Sequence, residues 1–138
     1  MEQKIRYTLG KKERLKSRKL IEQLFKEGKS FSVFPFRVVY QFVTEQPTCS
    51  NMQAGFSVSS KYFKKAVDRN RIKRLMKEAY RLQKNKLKAV IEQNKQAMNV
   101  FIIYTGNELP PYETVFERTG ALLKRLIKIS GENSNANI

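Results

Sequence analysis

The chain has 138 residues, a length that supports one hydrophobic core and one domain, 1–138, with no room for separate binding and catalytic modules. It carries 28 Lys+Arg against 12 Asp+Glu, a formal net charge of +16, on a composition that is 41% apolar; a chain able to fold against that self-repulsion calls for a polyanionic partner, nucleic acid first and an anionic membrane surface second. With no histidine, one cysteine (Cys49) and one aspartate (Asp68), it cannot build a His-based general base, a catalytic triad, a zinc site with His ligands, a thiolate cluster or an internal disulfide.

Residues 1–16 are basic and polar, and are expected to be extended or mobile. They contain no apolar core of the kind a secretory signal needs. No stretch approaches the ~20 apolar residues that span a bilayer. The single cysteine fits a reducing, cytoplasmic setting.

Ser17 to Gly28 reads as a short helix. Leu20, Ile21, Leu24 and Phe25 recur at helical spacing, Ser17 can cap the start, and Gly28 suits a left-handed residue after the end. Lys29 to Val33 is expected to add an edge strand or an extended approach. Phe36 to Thr44 alternates as a strand: Phe36, Val38, Tyr40 and Phe42 share one face, and Arg37, Val39, Gln41 and Val43 the other. Glu45 to Asn51 reads as a turn. Ala54 to Ser59 alternates as a second strand, expected to pair antiparallel with the first.

A long helix is expected from Lys64 to Lys88, with an apolar stripe of Ile72, Leu75, Met76, Ala79 and Leu82. Asn99 to Thr105 is mostly apolar and suits a central strand. After Pro110-Pro111, a last helix is expected over Tyr112 to Ile129, with Phe116, Leu122, Leu123, Leu126 and Ile127 facing inward. The Gly-, Ser- and Asn-rich tail, 130–138, is expected to be disordered. The order αββαβα, with an early edge strand, makes an α+β two-layer sandwich on a small mixed sheet.

The charge is concentrated. Residues 61 to 88 hold 12 of the 28 basic residues, opposed only by Asp68 and Glu78, about twice an even share. Arg69, Lys73, Lys77 and Arg81 fall at i, i+4, i+8 and i+12 and form one ridge, flanked by Arg71 and Arg74. A helix face that is merely solvated mixes signs; this one reads as a phosphate-binding face, with Arg for bidentate contacts and Lys for point charge. Lys61, Lys64 and Lys65 extend it toward the preceding loop. A membrane-surface role fits less well, because the polar side of this helix has no Trp and few bulky apolar anchors. Phe25, Phe36, Tyr40, Phe42, Phe56 and Tyr62 cluster around the first helix and the strands. Phe42 and Phe56 read as core, whereas Phe25 and Tyr40 could also stack on single-stranded bases.

The run Ala66 to Arg81, AVDRNRIKRLMKEAYR, with AGFSVSSK upstream and ERLKSRKLIEQLFKEG and FRVVY before that, closely resembles the protein component of bacterial ribonuclease P over about residues 10 to 127. Arg69-Asn70-Arg71-Ile72-Lys73-Arg74 is that family's signature. The resemblance implies a ribosomal S5 domain 2-like fold with a left-handed βαβ crossover, where right-handed connections are the strong default. It implies a non-catalytic protein subunit that helps a catalytic RNA remove the 5′ leader from precursor tRNA. Its partners would be that RNA and precursor tRNA, with no small-molecule substrate. No cofactor would be bound by the protein alone, Mg²⁺ being held by the RNA. Arg69, Asn70, Arg71, Lys73 and Arg74 would face the RNA. Phe25 and Tyr40 would line the leader cleft beside Ile21, which stands one turn before Phe25 where the family often has an aromatic. A ribosomal or ribosome-assembly RNA-binding protein is the other reading open to such a chain.

Overall fold

The computed structural model describes residues 13–43 and 52–136. The expected turn at 45–51, Cys49, and most of the basic segment 1–16 lie outside those residues. The elements are α1 (Arg18–Glu27), β1 (Lys29–Val33), β2 (Phe36–Val43), β3 (Met52–Val58), α2 (Ala66–Gln93), β4 (Ala97–Tyr104) and α3 (Tyr112–Ala136). The sheet order is β1-β2-β4-β3.

Lys29 to Val33 is indeed an edge strand, paired antiparallel with β2. The expected β2–β3 hairpin does not form. β4 lies between them, antiparallel to β2 and parallel to β3. The cause is burial. Both edges of a central strand are paired, and of the three strands β4 offers the apolar run that tolerates cover on both faces. Val100 and Ile102 enter the main core, and Phe101 packs on the opposite face.

α2 and α3 cover one face of the sheet. Val38, Ile72, Leu87, Met98, Leu122 and Leu126 there have no exposed area, and burying each such side chain stabilises by about 1.5–3 kcal/mol. The inward stripe of α2 differs from the expected one. Ile72, Met76 and Ala79 are buried, but Leu75 is only partly so and Leu82 is exposed; Tyr80, Lys84, Leu87 and Ile91 continue the buried line. A straight helix turns 3.6 residues at a time, so over 28 residues the contact line moves across its surface. On α3, Phe116 is exposed and Ile127 only partly buried; Val115 and Thr119 are buried instead.

The tail also differs from expectation. α3 continues through Ser130 to Ala136. Ser130 is fully buried, where its hydroxyl donates to Gln96 Oε1 and accepts from Asn94 Nδ2 at 3.2 Å. Gln96 Nε2 donates to the Ser130 carbonyl at 3.1 Å. Ser130, one of the polar residues that suggested fraying, serves to satisfy the α2–β4 turn.

α1 crosses part of the other sheet face. Ser17 caps it, its hydroxyl accepting from Leu20 N–H at 3.4 Å, and Leu24 is fully buried. Gly28 has extended φ and ψ (−75°, 162°) rather than left-handed ones. It is required by close approach, since a Cβ there would meet the Leu24 carbonyl and lie 2.9 Å from that of Tyr40.

Candidate nucleic-acid interface

α2 and α3 run side by side in the same direction. Gln83 Nε2 donates to the Phe116 carbonyl at 2.9 Å, and eleven residues later Asn94 reaches Ser130. α3 therefore starts alongside the middle of α2, and the first turns of α2 run ahead of it. Those turns carry Arg69-Asn70-Arg71-Ile72-Lys73-Arg74. Ile72 is buried; Asn70, Arg71 and Arg74 are exposed, and Lys73 is half-buried. Lys61, Lys64 and Lys65, on the loop before α2, are exposed, with Lys61 Nζ 5.3 Å from the centre of the Tyr62 ring.

Two ridge residues are committed within the protein. Arg69 Nη1 donates to the carbonyls of Phe63 and Lys64, each at 2.8 Å, so it pins the β3–α2 loop. Phe63 below it is buried against Tyr104, with ring centroids 6.0 Å apart. Arg81 is paired with Glu78 through Nη2 at 2.5 Å and Nε at 3.1 Å, and this bonding holds the Glu78 carboxyl below its ordinary range. The ridge is thus not four equivalent cations. Lys73 and Lys77 form its middle. Burial, followed by the charges of Arg14, Lys73 and Lys16, lowers the Lys77 pKa.

The other candidate surface lies between α1 and the sheet. Register fixes its members. Val39 stands opposite Phe101, which stands opposite Gly55; Arg37 stands opposite Ile103, which stands opposite Ser57. Cross-strand partners share a face. Leu15, Leu20, Ile21, Leu24, Val39 and Phe101 pack together here. Phe25 is 47% exposed and meets Phe101 edge-on with centroids 5.2 Å apart. Gly55 makes room for the ring: a Cβ would lie 2.6 Å from Phe101 Cδ2. Arg37 is exposed beside this pair.

Tyr40 is not on this surface. It packs against Phe31 and Phe42 on the face that α2 and α3 cover. Burial raises its pKa, Arg125 of α3 lowers it and Glu132 adds to the rise. Side chains alternate along a strand, so a shift of one residue reverses the face. Phe25 and Tyr40 therefore cannot line one cleft; the strand residue beside α1 is Val39. The second ring of the cleft, Phe101, escaped the sequence reading because its run looked like pure core. The signal available was the glycine opposite it.

Among the described residues no group of three or more His, Cys, Asp or Glu could hold a metal ion. No helix there is long and apolar enough to cross a membrane.

A model of the Ribonuclease P family matches residues 9–127. The ribonuclease P protein component of Porphyromonas gingivalis is 42% identical over 125 residues, covering 91% of this chain and 88% of that one. That of Bacillus pumilus is 35% identical over 122 residues, covering 88% and 91%. Among solved structures, the ribonuclease P protein from Thermotoga maritima superposes with a TM-score of 0.62 at 30% identity, covering 82% of this chain and 96% of that chain. The Staphylococcus aureus protein has the same fold, with a TM-score of 0.63 at 23% identity. The matched span takes in α1, the whole sheet, α2 and most of α3, including the basic turns of α2 and the α1–sheet surface. The chain belongs to the ribonuclease P protein family and is a protein subunit of that RNA-processing ribonucleoprotein.

Proposed function

We propose that the two surfaces divide the work. The first turns of α2 and the loop before them bind phosphates of the catalytic RNA through Lys61, Lys64, Lys65, Asn70, Arg71, Lys73, Arg74 and Lys77. Arg69 shapes that loop, and Arg81 closes the ridge through its pair with Glu78. The surface between α1 and the sheet holds the single-stranded 5′ leader of precursor tRNA, with Ile21 as apolar wall, Phe25 and Phe101 as stacking rings and Arg37 as the cation beside them. Aromatic rings stack on any base, and a flanking cation tracks the backbone.

The observation that carries this reading is the exposure of Phe25 against Phe101. A ring that served only the core would be covered. The protein alone is inactive: with no histidine and a single aspartate in the chain, the reacting groups and the Mg²⁺ come from the RNA. The test is precursor tRNA against mature tRNA, bound to the assembled particle. Phe25→Ala should weaken precursor binding and leave mature tRNA, which has no leader, unchanged. Equal loss for both would overturn the leader assignment.

A further inference from the structure

The β3–α2 loop is tied down at both ends, and it sends two adjacent rings opposite ways. At its start, Ser59 N–H donates to the Tyr104 carbonyl at 3.2 Å, and Lys61 N–H donates to Ser59 Oγ at 3.3 Å. At its end, Arg69 Nη1 holds the carbonyls of Phe63 and Lys64. Between these ties Phe63 enters the core against Tyr104, whereas Tyr62 is left 49% exposed.

The core does not account for Tyr62, since Phe63 already takes the place beside Tyr104. Nor does α3, which starts only alongside the middle of α2, well short of the loop. The surroundings of the ring are cationic. Lys61 Nζ lies 5.3 Å from the ring centre, within the range of a cation–π attraction, and Lys64 and Lys65 follow, both exposed. Val67, in the first turn of α2, is 76% exposed. Single exposed apolar residues are ordinary on a protein surface. Tyr62 differs in being fixed on a tied loop, against a cation, directly ahead of Asn70 and Arg71. A surface that gripped phosphates alone would need only the lysines and arginines. An uncovered ring among them suits an apolar face that the partner brings, and in an RNA that face is an unpaired base.

We propose that Tyr62 is a stacking site for an unpaired base of the ribonuclease P RNA, with Lys61 on the adjoining phosphate. Charge selects the occupant: Lys61 to Lys65 holds three lysines and no acid, which suits a polyanion and repels a second copy of a chain of net charge +16. The stack adds what point charges lack. Phosphate contacts carry no sequence information, but a ring that needs an unpaired base distinguishes one place on the RNA from a uniform duplex. This inference rests on α2 facing that RNA.

The chain has no tryptophan, so Tyr62→Trp places a single indole on the loop. Titrating the full-length variant with ribonuclease P RNA, without precursor tRNA, should quench its fluorescence as the indole stacks. Tyr62→Ala should lose about five- to a hundredfold in affinity, the loss of one base stack, at an unchanged slope of log affinity against log salt. Tyr62→Phe, which keeps the ring, should restore that affinity. Lys61→Gln should instead lower the slope by about 0.7–0.9, the loss of one phosphate contact. Should Tyr62→Ala fail to fold, as judged by its thermal melt, Tyr62→Trp decides the matter alone. Unchanged fluorescence with RNA, full affinity in a folded Tyr62→Ala, or a Tyr62→Phe as weak as Tyr62→Ala would overturn the stack. So would quenching that appears only with precursor tRNA, only with anionic lipid vesicles, or only on raising the protein concentration. If the stack fails while Arg71→Ala weakens binding, the RNA-facing reading of α2 stands. If Arg71→Ala also has no effect, that reading is wrong, and the stack with it.

Discussion

Phe25 lies edge-on to Phe101, 5.2 Å between centroids, on the sheet face opposite Tyr40. The ring pair joins a helix to the central strand and leaves half of Phe25 uncovered. Phe101→Leu should therefore weaken binding of precursor tRNA by about 1–3 kcal/mol, the loss of one base stack. Tyr40→Phe, which touches neither ring, should leave binding unchanged. Titration of the assembled particle with precursor and mature tRNA checks both; loss of precursor binding in Tyr40→Phe alone would return the cleft to the other face.

Gly55→Ala should act through Phe101. The added methyl enters the space of the ring, and overpacking of this kind costs about 1–3 kcal/mol. The expected outcome is a lower melting temperature together with weaker precursor discrimination. The melting temperature should recover in Gly55→Ala, Phe101→Leu relative to Gly55→Ala alone, because the smaller side chain frees the space, whereas precursor discrimination should stay weak for want of the ring.

Arg69 and Arg71 should separate by readout, though they stand two residues apart in the signature. Arg69→Ala removes two charged hydrogen bonds to the loop carbonyls, interactions worth about 1.5–3 kcal/mol each. Its melting temperature should fall along with RNA affinity. Arg71→Ala should leave the melt where it is and reduce RNA affinity and its salt slope. A fully stable Arg69→Ala would remove the loop-pinning role.

The end of α3 offers a stability test. Ser130→Ala removes only the hydroxyl and strands Gln96 Oε1 and Asn94 Nδ2, which bond to it. A fully buried group left unsatisfied costs about 1–3 kcal/mol; Asn94 and Gln96 are partly buried, so the loss should fall toward the low end of that range. Denaturant unfolding of Ser130→Ala should show that loss; a tail that merely frays would show none.

What the sequence disclosed follows the range of the interactions. Local periodicity placed α1, the strand at Phe36–Val43, the middle of α2 and the start of α3. The charge ridge was visible because Arg69, Lys73, Lys77 and Arg81 recur at four-residue spacing. Pairing order was not visible, because nothing local to β2 and β3 records that β4 inserts between them. The alternation that groups Tyr40 with Phe36, Val38 and Phe42 holds, but nothing local to the strand records which of its faces α1 crosses, so Val39 could not be told from Tyr40 as the residue beside Phe25. Lys84 looked like one more solvent cation. Its burial depends on Glu13, 71 residues away, and no spacing rule reaches that far. The Gly-, Ser- and Asn-rich composition of 130–138 suggested disorder, and only the meeting of Ser130 with Asn94 and Gln96 in space explains why that serine is buried.

The most direct measurement is cleavage of precursor tRNA by ribonuclease P RNA at low Mg²⁺, with and without the purified, nuclease-free protein. The protein alone should leave the substrate intact, and RNA and protein together should release the 5′ leader much faster than the RNA does. Release of the leader by the protein without RNA, or an RNA reaction that the protein leaves unchanged, would contradict that expectation.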